Sequence, residues 1–282
     1  MCLALHLSEQ KVEELNRIAN EIRRLVLVTV HKAGAGHTGG ALSIPELLSV
    51  LYFDAMKIDP SRPDWLERDR FILSKGHASV ALYAALCLRG YFGRECMCEF
   101  DRIDGRLQGH PDMLKTPGVD MSTGSLGQGL SAGIGMAIGR DRRGLDFTVY
   151  VLLGDGELQE GQVWEAAMYA GVHRIRKLIA IVDYNQLQLT GWTKDTLDIE
   201  PLADKWRAFG WDVLECDGHN VAEISETVEK AKAIESRPVV IIAHTLKGKG
   251  VSFIAGSVSW HAKAPTTEEL EKAIEELGEC EW

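Results

Sequence analysis

Apolar residues along the chain follow two different periods. From Glu9 to about Val30 they recur every third or fourth position, at Val12, Leu15, Ile18, Ile22 and Leu25, a spacing that places them on one face of an α-helix. Helix-forming residues fill the gaps, so this segment is expected to open the fold as an amphipathic helix. Further along, the pattern changes to short apolar runs: Arg70 to Leu73, Phe147 to Leu153, Leu178 to Val182, Trp211 to Leu214 and Pro238 to Ala243. Their length and β-branched content read as strands covered on both faces. Helical stretches, among them Gln162 to Ala170 and Val221 to Ile234, separate most of them. This alternation predicts an α/β fold with a doubly wound parallel sheet and helices on both faces. No repeat, low-complexity linker or shift in composition marks a boundary, so residues 1–282 are expected to form a single domain. At its end, Thr266 and Glu269 fit a capping box, which predicts a short C-terminal helix from about residue 266.

Polar residues gather where the apolar runs stop. Ser74-Lys75-Gly76-His77 follows the first run, Gly154-Asp155-Gly156 the second and Asp183-Tyr184-Asn185 the third. Asp217-Gly218-His219-Asn220 follows the fourth, and His244-Thr245-Leu246-Lys247-Gly248 the fifth. The carboxyl edge of an open parallel sheet is where ligands bind, so these segments define a candidate site. Asn185 comes 30 residues after Asp155, and neighbouring parallel strands would bring both to the same edge. Mg²⁺ favours hard oxygen ligands, a need met by the Asp155 carboxylate, the Asn185 amide oxygen and the Leu187 backbone carbonyl. Ca²⁺ or Mn²⁺ would satisfy the same oxygens in its place. Gly156 removes a side chain where the backbone must approach a phosphate. Taken alone, however, glycine-aspartate-glycine is also ordinary turn chemistry.

Composition narrows the field. A chain of 282 residues with 45% hydrophobic and 26% charged content has the make-up of a globular protein with a substantial core. Its net charge of -10 opposes nonspecific attraction to nucleic acid or anionic membranes, so neither is an expected partner. No apolar run approaches the roughly 20 residues that span a bilayer. The opening Met1 to Leu7 lacks a basic start and a full signal core, which makes the cytoplasm the expected location. Six scattered cysteines are too sparse for a disulfide framework, and reduced thiols are expected. Cys96-Met97-Cys98 does not have the spacing of a zinc pair.

Four of the nine histidines stand in unusual settings. His37 lies in Gly34-Ala35-Gly36-His37-Thr38-Gly39-Gly40, His77 in Ser74-Lys75-Gly76-His77-Ala78-Ser79, His110 in Gly109-His110-Pro111-Asp112, and His261 in Ser259-Trp260-His261-Ala262. Any one of them alone reads equally well as a loop histidine, because glycine and proline also mark ordinary turns. Together with Gly154-Asp155-Gly156, Asn185, Ser122 to Gly129 and Arg68 to Ser74, they resemble the transketolase family in order, spacing and local sequence, from about His31 to Pro265. Glycine-aspartate-glycine followed some 30 residues later by asparagine is similar to the thiamine diphosphate motif. The chain departs from the family at Tyr184, which replaces the first of a frequent asparagine pair, and at Thr38-Gly39, where proline-glycine is common.

The resemblance implies thiamine diphosphate and Mg²⁺ as cofactors, with Asp155, Asn185 and the Leu187 carbonyl on the metal. It implies that Lys75, His77, Gly156, Lys247 and His261 line the diphosphate side or its approach, and that Gly124 and Leu126 meet the pyrimidine or thiazolium region. His37, His77, His110 and His261 would surround the reacting carbon and the sugar hydroxyls. The implied activity is transfer of a two-carbon ketol unit from a ketose phosphate to an aldose phosphate, with the cofactor as electron sink and imidazoles moving protons near neutral pH. Among the lysines of the strand-end loops, which are usually solvated, Lys247 has a stronger claim than Lys75 or Lys249 from its glycine-rich setting. Glu160 and Glu165 would lie near a subunit contact. In the family the next domain supplies a glutamate that activates the cofactor, and arginines that receive the sugar phosphate. Neither is found here, so the expected partner is a C-terminal transketolase subunit carrying the pyrimidine-binding and C-terminal domains, in a heterotetramer. Two other readings are a noncatalytic cofactor- or sugar-binding regulatory module, disfavoured by the histidine set, and a Rossmann nucleotide-binding enzyme. The Gly34 to Gly39 spacing matches the latter but follows a helix-like segment instead of a strand.

Overall fold

The computed structural model describes residues 7–278; Cys2, Cys280 and most of the Met1 to Leu7 opening lie outside them. Ser8 caps the first helix, its hydroxyl accepting the Lys11 N–H at 3.2 Å, and α1 runs over Glu9–Ala33. It continues three residues past the expected end, because the chain leaves the helix only at Gly34, whose φ of 69° is the left-handed conformation that glycine reaches without strain. Leu15, Ile22, Val26 and Val30 form its buried stripe.

After α1 come α2 (Thr38–Leu42), α3 (Pro45–Val50), β1 (Arg70–Leu73), α4 (Ser79–Arg89), α5 (Gln128–Arg142), β2 (Val149–Gly154), α6 (Gly161–Val172) and β3 (Leu178–Tyr184). The short hairpin β4 (Leu187–Gln188) and β5 (Gly191–Trp192) follows, then α7 (Thr193–Thr196), α8 (Leu202–Ala208), β6 (Asp212–Asp217), α9 (Val221–Ala233), β7 (Val239–His244) and α10 (Thr267–Glu276). The five long strands form one sheet in the order β1-β2-β3-β7-β6, and every pairing within it is parallel.

Strand side chains alternate between two cores, as the pleat requires. Tyr150, Leu152, Ile179 and Ile181 join the cluster built with α1, α3, α4 and α9. Val149, Val151, Leu153, Leu178, Ala180 and Val182 join the opposite cluster, which holds residues of α5, α6 and α8. The sheet is thus covered on both faces, as expected from its uninterrupted apolar runs.

Four strands outrun their apolar stretches, β2 to Gly154 and β7 to His244 by one residue each and two others by more. β3 continues through Asp183 and Tyr184, which pair in register with Ala243 and His244, and β6 continues to Asp217 opposite His244. The backbone ladder needs only peptide groups, so polar side chains extend the strand and stand at its carboxyl end. At the other end of the molecule the Thr266 capping box forms as expected: Thr266 accepts from the Glu269 N–H at 3.2 Å, and Glu269 accepts from the Thr266 N–H at 2.8 Å. Cys96 is buried and Cys98 exposed, both as free thiols. Among the described residues, no helix is long and apolar enough to cross a membrane.

Close approach of backbone makes one glycine decisive. A Cβ at Gly171 would meet the Phe209 carbonyl oxygen at 1.7 Å, whereas a Cβ at Gly135, within α5, would meet nothing within 4 Å. Gly171→Ala should therefore destabilise the chain by about 3 kcal/mol through overpacking, and Gly135→Ala should stabilise it by up to about 1 kcal/mol through helix propensity. Urea unfolding of the two variants checks the contrast; equal effects would contradict it.

Candidate functional site

The site is organised around a carboxylate that sequence reading did not single out. Asp183, at the end of β3, is wholly buried. Its Oδ2 accepts from Lys75 Nζ at 2.5 Å, Ser43 Oγ at 2.8 Å and Asn185 Nδ2 at 2.9 Å, while its Oδ1 accepts from the Thr245 hydroxyl. Lys75 lies just beyond β1, Ser43 between α2 and α3, and Thr245 just beyond β7, so one carboxylate ties together the ends of three strands and a helix junction. Burial pushes the Asp183 carboxyl up, but Lys75 and the hydroxyl donors outweigh it and hold the group below its ordinary range. Lys75 is 2% exposed and also donates to the Gly40 carbonyl at 2.8 Å.

A second unforeseen carboxylate braces the Gly154-Asp155-Gly156 turn. Glu157 accepts from Ser74 Oγ at 2.5 Å and from the Gly127 and Gly154 N–H groups at 2.9 and 3.0 Å. Burial raises its carboxyl despite these donors. It links the turn to the end of β1 and to the loop before α5, which carries Gly124 and Leu126.

Because Gly154 pairs with Asp183 across β2 and β3, Asp155 stands next to the Asp183 to Asn185 segment, as its sequence position predicted. Asp155 is buried and accepts from the Gly156 N–H at 2.7 Å and from the Gln186 N–H. Burial and the neighbouring Asp183 charge push its carboxyl up to about 7. The Asn185 side-chain oxygen accepts from the Leu187 N–H at 3.1 Å, and the Leu187 carbonyl accepts from Lys247 Nζ at 3.0 Å. Among the described residues no three His, Cys, Asp or Glu side chains gather to hold a metal. The donors at this edge are instead one carboxylate, one amide oxygen and one carbonyl, a hard-oxygen set that suits Mg²⁺ better than zinc. A Cβ on Gly156 would come 2.9 Å from Gln188 Cβ, so glycine keeps this wall open.

Lys75, His77, Leu126, Asp155, Gly156, Asn185, Leu187, Lys247 and His261 all line one cavity of about 270 Å³, together with Glu160 and Gln188. Gly124 and His110 line a second recess with Thr123 and Ser125. The histidines nevertheless converge: the His37 ring centroid lies 5.3 Å from His77, 6.0 Å from His110 and 5.5 Å from His261. Burial, then the adjoining cations, hold His77 well below its usual pKa, and burial with His110 and Lys247 lowers His37. Burial and Lys247 push His261 down to about 3. These three rings are therefore neutral at neutral pH. Lys247 Nζ lies 2.8 Å from His261 Nδ1, so Lys247 donates, Nδ1 accepts, and the ring proton sits on Nε2. Burial and Lys75 lower Lys247 itself to about 8. Lys249 and Glu165 do not line the cavity.

Two buried lysines, an oxygen-donor corner and three neutral imidazoles make a site suited to a polyanionic ligand with an adjoining divalent cation and to proton transfer beside it. Asp183 had a signal that the reading passed over: a carboxylate directly after Leu178-Ile179-Ala180-Ile181-Val182 is costly to bury without a partner. Ser43 and Thr245 carried none, since their role depends on elements far apart in sequence.

Residues 14–280 match the family model described as transketolase, thiamine diphosphate binding domain. The chain is 51% identical over 271 residues to a 6-deoxy-6-sulfo-D-fructose transketolase subunit of Clostridium sp. (strain MSTE9), covering 96% of this chain and 98% of that one. It is 41% identical to an apulose-4-phosphate transketolase subunit of Phocaeicola vulgatus, covering 95% of each. Human transketolase is 36% identical over 95% of this chain, which spans 43% of that protein. The crystal structure of Campylobacter jejuni transketolase superposes with a TM-score of 0.90 at 35% identity, over 96% of this chain and 43% of that one. The chain belongs to the transketolase family, with the fold and sequence of its thiamine diphosphate binding domain.

Proposed function

We propose that residues 1–282 act as one thiamine diphosphate- and Mg²⁺-binding domain, the amino-terminal subunit of a cytoplasmic two-component transketolase. The reading rests on one observation: Asp155, Asn185 and the Leu187 carbonyl stand at neighbouring strand ends and share a cavity with two buried lysines, His77 and His261. The oxygen set would hold the metal. Lys247 and His77 would face the diphosphate, while Lys75, already bonded to Asp183, would keep the cavity wall in place.

When bound, thiamine diphosphate supplies the electron sink for breaking the bond between carbons 2 and 3 of a ketose. This chain's contribution is orientation and proton transfer. Lys247 fixes His261 with the proton on Nε2, which presents a donor to a sugar oxygen. His37 and His77, neutral for the reasons above, take up protons from hydroxyls and return them. His110, exposed at the rim, completes the ring around the sugar, and Gly124 and Leu126 would meet the cofactor's pyrimidine or thiazolium region.

The reaction is transfer of a two-carbon ketol unit from a ketose phosphate to an aldose phosphate. The relative named for 6-deoxy-6-sulfo-D-fructose supports a donor whose terminal anion is a sulfonate as well. A second polypeptide, the C-terminal transketolase subunit, would supply the activating glutamate and the receptor for the sugar's anionic end, in a heterotetramer. The match to 43% of full-length transketolase and the subunit names of the relatives support this division.

Three measurements test the proposal. The purified chain should bind thiamine diphosphate with Mg²⁺ yet transfer no ketol unit until the partner subunit is added; full turnover by the chain alone would sink the two-component assembly. Mg²⁺ competes with a proton for Asp155, whose carboxyl titrates at about 7. As pH falls below that value the Mg²⁺ affinity should drop by about tenfold per pH unit, and above it the affinity should level off; a flat calorimetric profile between pH 5 and 7 would contradict it. In the assembled enzyme, His37→Ala should lower kcat by about 10²-fold while leaving thiamine diphosphate affinity nearly unchanged, because His37 does not line the cofactor cavity.

A further inference from the structure

Asp217-Gly218-His219-Asn220 stands at the carboxyl edge like the other strand-end segments, yet none of its residues lines the cofactor cavity. Its geometry is nevertheless tightly set. The Gly218 N–H bonds the His244 carbonyl at 2.9 Å, and a Cβ at Gly218 would meet Thr245 Cγ2 at 2.4 Å, so only glycine lets this loop close on the end of β7. Asn220 caps α9 by accepting from the Ala222 and Glu223 N–H groups. Between them His219, with a side chain 13% exposed, is held from both sides.

The partners fix its tautomer. The Leu246 N–H lies 2.7 Å from His219 Nε2; an amide can only donate, so Nε2 carries the lone pair. The ring proton then sits on Nδ1, 3.2 Å from Glu46 Oε2, and donates to that carboxylate. Glu46, buried in α3, also accepts from Arg23 Nη2 at 2.6 and 2.7 Å. Burial alone would raise Glu46, but His219 and Arg23 outweigh it and keep it ionised. Arg23 reaches onward: its Nε donates to the Lys249 carbonyl at 2.9 Å, and its side chain occupies the space that a Cβ on Gly250 would need.

The result is a clamp on one turn. His219 grips the residue before Lys247, at the Leu246 N–H, and Arg23 grips the Lys249 carbonyl two residues after it. The Gly248 N–H bonds the Gly39 carbonyl at 3.0 Å, which holds the turn against the first turn of α2, beside its N-cap His37. Lys247 can then extend in one direction, toward the Leu187 carbonyl and His261. We propose that His219 is a positioning residue: through its neutral, Nδ1-protonated ring, backed by Glu46 and Arg23, it holds the Leu246–Lys249 turn so that Lys247 faces the diphosphate. The inference rests on the reading of Lys247 as a diphosphate ligand, and its test separates the two.

Thiamine diphosphate affinity is measured by calorimetry in saturating Mg²⁺, on the full chain assembled with its partner subunit. Groups that orient a ligand-binding residue are worth roughly 10- to 100-fold in affinity, so His219→Leu should weaken binding by that factor. His219→Gln, whose amide oxygen can still accept the Leu246 N–H, should stay within about threefold of the parent. Placed on Lys247→Ala, His219→Leu should cost less than about threefold more, since coupled residues act as one. Parent-like binding by His219→Leu, or a full additional loss on Lys247→Ala, would overturn the proposal. If His219→Leu does not fold, the ¹⁵N shifts of the His219 ring in the parent chain decide: a protonated Nδ1 and an unprotonated Nε2 are expected, and the opposite tautomer overturns the clamp. A parent assembly that binds no thiamine diphosphate would refute the functional reading, and the ring shifts would still judge the clamp.

Discussion

The ion pair between Lys75 and Asp183 is the constraint on which the rest of the site depends. Both groups are buried, at 2% and 0% exposure, and desolvating two charges costs several kcal/mol each unless the surrounding donors and acceptors are nearly ideal. Here they are supplied by Ser43, Thr245, Asn185 and the Gly40 carbonyl. Such a pair tolerates little displacement, because moving one partner strands a charge in a low-dielectric interior. The ends of β1, β3 and β7 and the junction of α2 and α3 are held in fixed relation as a consequence. Asn185 is oriented by the same carboxylate, so its side-chain oxygen is aimed by a residue that touches no ligand in the proposed arrangement.

Around this fixed point the electrostatics divide. Among the described residues no cation is bonded to Asp155, which is driven toward its neutral form. Lys247 bonds a carbonyl and an imidazole but, among the described residues, no carboxylate and is driven toward losing its proton. Each is an incompletely compensated charge of the sign opposite to what the proposed ligands would bring: a metal for Asp155, a diphosphate for Lys247. His37, His77 and His261, kept neutral by burial and by neighbouring cations, retain both a donor and an acceptor nitrogen. Buried groups whose titration is displaced by specific neighbours inside a cavity are the pattern expected where chemistry is carried out.

Much of this was legible in the chain because its sheet is buried on both faces. Apolar runs gave the five strands directly, and the polar residues that end them gave the edge where Asp155, Asn185, His77 and Lys247 meet. What stayed hidden had a common cause. Asp183 sits inside the hydrogen-bonded part of β3, where a polar letter reads as the end of a strand, and its role appears only when Lys75, 108 positions away, is brought beside it. Glu157 looks like one more acidic residue opening a helix until Ser74 and Gly127 are seen to close on it. His219 was noticed for its place at a strand end, but its orienting partners come from α1, α3 and the turn after β7, which no local pattern connects.

The register of β2 against β3 has an architectural consequence. Gly154 and Asp183 are directly paired, so the groups just beyond them are separated by about one inter-strand spacing, roughly 4.8 Å, however long the chain between them. The crossover through α6 is a detour whose length does not enter that distance. Insertions on its outer side would leave the oxygen donors where they are, at the modest entropic cost of a longer loop. A one-residue slip of either strand would separate them at once, so the placement of these oxygen donors is written in strand alignment and is indifferent to contour length.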